Sequence, residues 1–394
     1  MKPSTANPSH RFIAVLGLGL GATHCVRTRP LPPSPELRAI APDAQPLPPQ
    51  EPPRPRVEAM NTEFYLGSRA DEEASFEAFA QQIQAIQDRQ AADHDQPVQR
   101  GFHAKAHGCL QGTMELLPDR DPHTRHGVFA DDYTSWPVWV RFSNGVGWKQ
   151  ADKALDARGM AVKLMGVPGD KLLADESETQ DFLMTNSPAP VGRNASEFMR
   201  FAHTNSRGKA PTILYALRRS RTVLPAVKAT GAVDSMVALQ YWSGGAYHLG
   251  AHQAVKFSAR ACEATERKTS RRAPNYLSTD LADAATEDLC FTMLVQLQVD
   301  PKKTPIEDAA RVWKPSISPE LPVATIRLPA QDLGSTDQDA FCTALSFNPW
   351  HGIAAHQPMG HINRARRHVY TASNAHRHGG GEPGVVPSPA PVEP

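Results

Sequence analysis

The sequence predicts an α+β fold, a closed or nearly closed β-barrel with helices around it. Three observations carry this reading. Segments in the middle of the chain alternate apolar and polar residues with period two, as half-buried strands do. Segments on either side repeat apolar residues every three or four positions, as one helix face does. No internal repeat divides the chain, so these elements build one architecture rather than an array. A length of 394 residues is ample for the core this requires.

The elements follow in order. Lys2, His10 and Arg11 precede the apolar run Phe12 to Ala22, which is shorter than the roughly 20 residues of a bilayer span. The run fits the hydrophobic region of a secretory signal or anchor, so residues 1–25 are read as that segment. Export is the expectation, periplasmic or membrane-associated, with the cytoplasm as the alternative. Residues 26–59 hold Pro30-Leu31-Pro32-Pro33 and Pro48-Pro49-Gln50-Glu51-Pro52-Pro53. Proline fixes φ and offers no amide donor, so this is a disordered, semi-rigid tether. The folded body is residues 60–378, and the glycine- and proline-rich residues 379–394 are a disordered tail.

Within the body, Phe76, Phe79, Ile83 and Ile86 mark an amphipathic helix beginning after Ser68 and Asp71. Gly101 to Leu117 and Pro137 to Ser143 read as strands. In the second, Val138, Val140 and Phe142 alternate with Trp139, Arg141 and Ser143. Arg141 and Ser143 therefore share a face, and one strand aims both at a single cavity. Met160 to Met165, Ala254 to Ala261, Phe291 to Val299 and Ala324 to Leu328 read as further strands. Ser196 to Thr204, Thr212 to Ala229 and Asn363 to Asn374 read as helices.

Composition excludes several functions. Forty-two basic against 41 acidic residues leave a formal charge of +1, so nucleic acid is not an expected partner. Cys25, Cys109, Cys262, Cys290 and Cys342 are scattered and form no C-x-x-C pair. They suggest neither a zinc site nor a disulfide framework, and core-filling thiols are expected. His361, His368, His376 and His378 lack zinc spacing and read as helix and tail positions. Gly17 to Gly21 follows no strand of a βαβ unit and is no nucleotide loop. There is no G-x-S-x-G element.

Arg366 and Tyr370 are i and i+4, which helical geometry makes neighbours. A cation beside a phenol favours its ionised form, the form that binds ferric iron, and tyrosinate is a known haem ligand. A basic amphipathic helix with a buried tyrosine gives the same pattern. His103 supplies a group that takes a proton from one peroxide oxygen and returns it to the other. Ser143 is placed to orient that imidazole. Arg100 and Arg141 carry forked donors suited to haem propionates.

From about Pro97 to His378 the chain resembles the haem catalases. Arg100-Gly101-Phe102-His103-Ala104-Lys105 is similar to the family's distal-histidine motif, and Val140-Arg141-Phe142-Ser143 to the strand whose serine supports it. Asp156-Ala157-Arg158-Gly159-Met160-Ala161-Val162-Lys163 resembles the D-x-R-G-x-A-V-K segment. Pro305 to Trp313 and Phe347-Asn348-Pro349 match weaker landmarks, and Arg366 and Tyr370 fall where the proximal ligand belongs. The resemblance implies an antiparallel barrel with helices packed about it, residues 60–378 as a haem domain, haem b as cofactor and frequent homo-oligomers. It implies Tyr370 as iron ligand, Arg100, Arg141 and Arg366 as haem-binding residues, and His103 with Ser143 as the catalytic pair. The chain ends soon after the proximal helix, as a minimal core would.

Departures bear on activity. The family carries an Asn-Asn-Thr-Pro segment whose first asparagine helps the histidine position peroxide. Aligning Phe182-Leu183 with the usual paired phenylalanines puts Ser177 there, with Thr179 or Gln180 as substitutes. Asn144-Gly145 replaces a Thr-Val pair at the channel, admitting a bulkier peroxide, while Phe102 closes part of the space. The expected function is decomposition of hydrogen peroxide or reduction of organic hydroperoxides, the latter with a small-molecule electron donor. The alternatives are an isomerase or lyase of fatty-acid hydroperoxides, as in allene oxide synthases, and a haem-binding module without turnover.

Overall fold

The computed structural model describes residues 68–219, 229–264, 266–333 and 336–379, all within one compact unit. The expected signal, tether and nearly all of the tail lie outside the described residues. Ten strands occur, β1 (Ala106–Leu116), β2 (Ser135–Asn144), β3 (Arg158–Met165), β4 (Thr179–Thr185), β5 (Tyr241–Trp242), β6 (Ala246–Leu249), β7 (Gln253–Ala261), β8 (Leu289–Leu297), β9 (Leu321–Leu328) and β10 (Pro358–Met359). Eight of them close an antiparallel barrel in the order β7-β5-β4-β3-β2-β1-β9-β8, with β8 returning to β7. The hairpin partner β6 and the short β10 extend one edge of β7.

Alternation sets the two faces. Leu110 and Met114 of β1, Val138, Val140 and Phe142 of β2, Met160, Val162 and Leu164 of β3, and Phe182 and Met184 of β4 fill the interior. The opposite rank on β2, Trp139, Arg141 and Ser143, faces outward, so the shared cavity predicted for Arg141 and Ser143 lies outside the barrel wall. Phe129, Phe182 and Phe257 pack inside in one stacked, one tilted and one edge-on pair, with ring centroids 4.7–6.1 Å apart. Each fully buried aromatic side chain contributes roughly 1.5–3 kcal/mol.

Among the described residues six α-helices lie about the wall, α1 (Arg69–His94), α2 (Ala195–Ser206), α3 (Lys209–Arg218), α4 (Tyr276–Ala284), α5 (Thr336–Ala344) and α6 (His361–Arg377). Ser68 caps α1 by accepting from the Asp71 amide, and Asp95 ends it in the left-handed region at φ 48°. Phe76, Ile83 and Ile86 are its buried apolar residues. Polar side chains fasten α1 to α6: Glu72 contacts Arg364 at 2.8 Å, Glu73 contacts His368 at 3.0 Å and Asp88 contacts His376 at 2.6 Å. Three of the four late histidines are thereby engaged, since His361 accepts from the Ala195 amide. Glu307 accepts from the His361 amide at 2.7 Å, a carboxylate on the positive end of α6.

Four expectations need correction. Gly101 to Lys105 is a loop rather than the start of a strand, because His103 takes φ 58° and breaks the extended run. The helix expected over Thr212 to Ala229 begins earlier and ends at Arg218, and residues 220–228 lie outside the described residues. The short strands β4, β5, β6 and β10 and helices α4 and α5 were not anticipated. The four described cysteines are not free thiols: Cys109 pairs with Cys342 and Cys262 with Cys290, while Cys25 lies outside the described residues. Separations of 233 and 28 residues leave no local pattern. Tertiary packing of α5 on β1 makes the first, and the β7–β8 register, with Ala261 opposite Phe291, makes the second.

Candidate active site

The loop between α1 and β1 carries His103 onto the outer face of the barrel. Its amide donates to the Gly145 carbonyl at 2.9 Å, and Arg141 Nη2 donates to its carbonyl at 2.9 Å. The imidazole lies on Gly159 of β3, where a Cβ would stand 2.5 Å from Nδ1. Nδ1 is 3.1 Å from Ser143 Oγ, which leaves Nε2 for a substrate. Burial, with the charges of Arg141, Arg366 and Arg100 behind it, pushes His103 from 6.5 down to about 3. The ring is therefore neutral at physiological pH and able to accept a proton.

The Arg366 charge felt by His103 comes from α6. Arg366 Nη2 donates to Tyr370 Oη at 2.9 Å, and its guanidinium lies 4.9 Å from the ring centre. Nη1 donates to Asn363 Oδ1 at 3.1 Å, and Asn363 Nδ2 donates to the Ala246 carbonyl of β6. Burial alone would pull Arg366 down, but the phenols of Tyr370 and Tyr247 outweigh it and hold the guanidinium charged. Tyr247, fully buried on β6, is thus a second phenol beside the arginine, one that no local spacing singles out.

Arg100 and Arg141 stand together with a third guanidinium, Arg377 at the end of α6. Burial lowers all three, to about 9 for Arg141 and about 10 for Arg377. Arg141 and Arg377 depress Arg100 further, and Arg377 depresses Arg141. No carboxylate offsets them among the described residues. Arg100 donates to the carbonyls of Thr343 and Leu345, and Arg377 Nη1 to that of Thr343. The Nε atoms of Arg141 and Arg377 are buried without a hydrogen-bond partner. Three clustered cations with spare donors suit a dianionic group such as a pair of propionates.

The structure revises each departure read from the sequence. Ser177 is exposed on the loop before β4, and the register Met165 to Thr179 and Gly159 to Thr185 carries it far from His103. Gln180 turns to Gly352 and Ile353, and Thr179 Oγ1 donates to Glu176. Thr185 is the β4 residue opposite Gly159, so Ser143, Gly159 and Thr185 form one row beneath the imidazole. Thr185-Asn186-Ser187-Pro188 is the signal that was missed, a near match to Asn-Asn-Thr-Pro. Asn186 is committed elsewhere, accepting from the Arg158 amide and donating to the Ala229 carbonyl. The space beside Gly145 is filled by Asp156, whose Oδ1 would stand 2.8 Å from an added Cβ, so this glycine does not widen the pocket. Burial raises Asp156 to about 6. Phe102 turns to Phe198 of α2, centroids 5.4 Å apart.

One group of close metal-ligand atoms exists among the described residues, Glu176, Asp181 and His351. The Lys163 ammonium already contacts both carboxylates. His351 is raised to about 9 by Asp175 and Asp181 despite its burial. This is a buried ion-pair network rather than a vacant metal centre.

Residues 69–215 match the catalase family. The matched segment includes Arg100, His103, Ser143 and Thr185. The fold is similar to that of a fungal catalase, at 18% identity and TM-score 0.60 over 73% of this chain and 61% of that one. It is similar also to a bacterial catalase, at 15% identity and TM-score 0.59 over 73% and 59%. The chain spans about three fifths of the length of these catalases. The catalase-like barrel expected from the sequence is what the chain adopts.

Proposed function

We propose that the chain is a haem-dependent oxidoreductase consuming hydrogen peroxide or organic hydroperoxides. The observation that carries this is that the Arg366–Tyr370 pair of α6 lies near enough to a neutral His103 for its guanidinium to depress the imidazole, beside three clustered arginines with no carboxylate partner among the described residues. These donors fit haem b: Tyr370 would hold the iron, with Arg100, Arg141 and Arg377 at the propionates. When bound, haem supplies the redox centre at which the O–O bond is cleaved. His103 Nε2 takes the proton from one peroxide oxygen and delivers it to the other as the O–O bond parts, so the leaving oxygen departs protonated. Ser143 keeps the ring in the orientation that exposes Nε2. Arg366 balances the anionic charge of a phenolate at Tyr370.

The second substrate decides between dismutation and peroxidase activity. A threonine hydroxyl at position 185, with no amide facing His103 from β4, supports reduction of organic hydroperoxides by a small-molecule donor over rapid oxygen release. The two disulfides support maturation in an oxidising compartment, hence export. The test is reconstitution with haem, reading the absorption spectrum and oxygen release for the parent, Tyr370→Phe and His103→Ala. A tyrosinate-type spectrum lost in the first variant and turnover lost in the second is the expected result. Failure to bind haem, or a spectrum indifferent to Tyr370, sinks the proposal.

A further inference from the structure

Among the described residues four large apolar side chains are strongly exposed, and three of them lie on α3: Ile213 at 61%, Leu214 at 49% and Leu217 at 71%. Ile213 and Leu217 are i and i+4 and share a helix face. The opposite face is occupied, since Tyr215 donates to the Glu197 carbonyl of α2 and packs 5.9 Å from Phe201. The fourth exposed residue, Leu155, is beside the other end of the same stretch, because the Asp156 amide donates to the Thr230 carbonyl.

The charge around this face is predominantly basic; Glu197, which pairs with Arg193 and lies 4.0 Å from Arg219, is the acidic group that the described contacts put beside it. From Phe198 to Val233 the chain carries Arg200, Arg207, Lys209, Arg218, Arg219, Arg221 and Lys228 and no acidic residue. In a chain whose totals nearly balance, the remainder is therefore net acidic. Arg200, Arg207, Arg218 and Arg219 are exposed. Aliphatic side chains standing out of water among cations are the arrangement of a helix lying in a lipid interface, apolar face down and basic residues at the headgroups. No described helix is long and apolar enough to cross a membrane.

We infer that α3, with the exposed Arg200, Arg207, Arg218 and Arg219, is a peripheral docking surface for an anionic lipid bilayer. Two copies meeting through this face would bring like charges together, which disfavours self-association as its purpose. A binding site for nucleic acid would present aromatic platforms, whereas the exposed groups here are aliphatic. The surface also reaches the distal pocket: the Ala229 carbonyl accepts from Asn186, the neighbour of Thr185. Docking stands on the surface alone and does not depend on the haem reading.

The test is co-sedimentation of the full chain with vesicles of phosphatidylcholine alone and of phosphatidylcholine with phosphatidylglycerol. Binding is expected only to the second and is expected to fall with added salt. Leu217→Glu lowers the partition coefficient at least about fivefold and Arg218→Glu, which changes the charge by two, about thirtyfold, at roughly 1 kcal/mol for each charge near the surface. Unchanged circular dichroism confirms that both variants fold. Absence of binding to anionic vesicles overturns the inference. So does a dimer in sedimentation velocity that Leu217→Glu dissociates, since that makes a second copy the occupant.

Discussion

Gly159 lies against the imidazole of His103, so close that a methyl group there would stand 2.5 Å from Nδ1 and 2.9 Å from Ser143 Oγ. Neither neighbour gives way cheaply, because His103 is tied at its amide and carbonyl and Ser143 is fixed in β2. Gly159→Ala therefore displaces the base while leaving the proximal side intact. Turnover of peroxide is expected to fall about a hundredfold, the cost of misplacing a reacting group by about 1 Å. Haem loading and its spectrum stay as in the parent. Stopped-flow decay of peroxide beside a titration with haem separates the two, and equal activity in the variant would refute the placement of His103.

The three-arginine cluster gives a test at the cofactor's edge. Arg377→Gln removes one of three mutually repelling charges, so the haem-free protein melts no lower than the parent. Haem is expected to dissociate about tenfold faster, for the loss of one charge-assisted hydrogen bond of roughly 1.5 kcal/mol. Haem dimethyl ester, which lacks the carboxylates, should not distinguish the variant from the parent. Discrimination that persists with the ester would mean that Arg377 acts through packing.

Acid stability follows from the histidines. His103 and His356 are pushed to about 3, and His107 and His361 to about 4, in each case first by burial. The unfolded chain takes up these protons near pH 6.5, whereas the fold refuses them until pH 3–4. Stability from these groups is present above pH 6.5 and is lost as pH falls through that window. His351 runs the other way, raised to about 9, and its contribution is complete below pH 6.5 and lost as pH rises through 9. Acidifying from 7 to 5.5 should cost about 1 kcal/mol per depressed histidine. Thermal melts across that range check it, and a flat profile would contradict the burial of these rings.

The Cys109–Cys342 disulfide ties β1 to α5, and the next residue of α5, Thr343, gives its carbonyl to Arg100 and Arg377. Cys342→Ser is expected to lower stability by about 2–4 kcal/mol and also to weaken haem retention. Cys262→Ser removes the other bridge, which joins the ends of β7 and β8, and should lower stability alone. Melts and haem off-rates of the two variants make the comparison.

How far the sequence could be read depended on whether the signal was local. Period-two alternation on β2 and the i,i+4 spacing of Arg366 and Tyr370 each lie within one element, and both were legible. Arg377 was not, because its role comes from standing beside Arg100 and Arg141 across the fold. The disulfides escaped for the same reason, their partners being joined by strand register and helix packing. Thr185 was missed through a misplaced alignment at Phe182 and Leu183. Phe182 is an interior barrel residue packed on Phe257, 4.7 Å between centroids, so the motif resumes only where β4 ends.

That register makes Thr185 the sharpest probe of reaction type. It sits in one row with Gly159 and Ser143, and adjacent strands are about 4.8 Å apart, so the imidazole lies between two hydroxyl-bearing residues. Ser143 engages Nδ1, and Thr185 stands across Gly159 from it in the same row. A hydroxyl is shorter than a carboxamide and presents one donor where the amide presents two and a carbonyl acceptor. It holds a second hydrogen peroxide less firmly and leaves room for a larger reductant. Thr185→Asn is expected to raise the ratio of oxygen released to peroxide consumed and to lower activity with an organic donor, each by about tenfold, the value of one hydrogen bond made in the transition state. Thr185→Val removes the hydroxyl at similar volume and should leave the ratio low. Oxygen electrode traces with and without donor decide the matter, and a ratio indifferent to both substitutions would place the control of the second step elsewhere in the pocket.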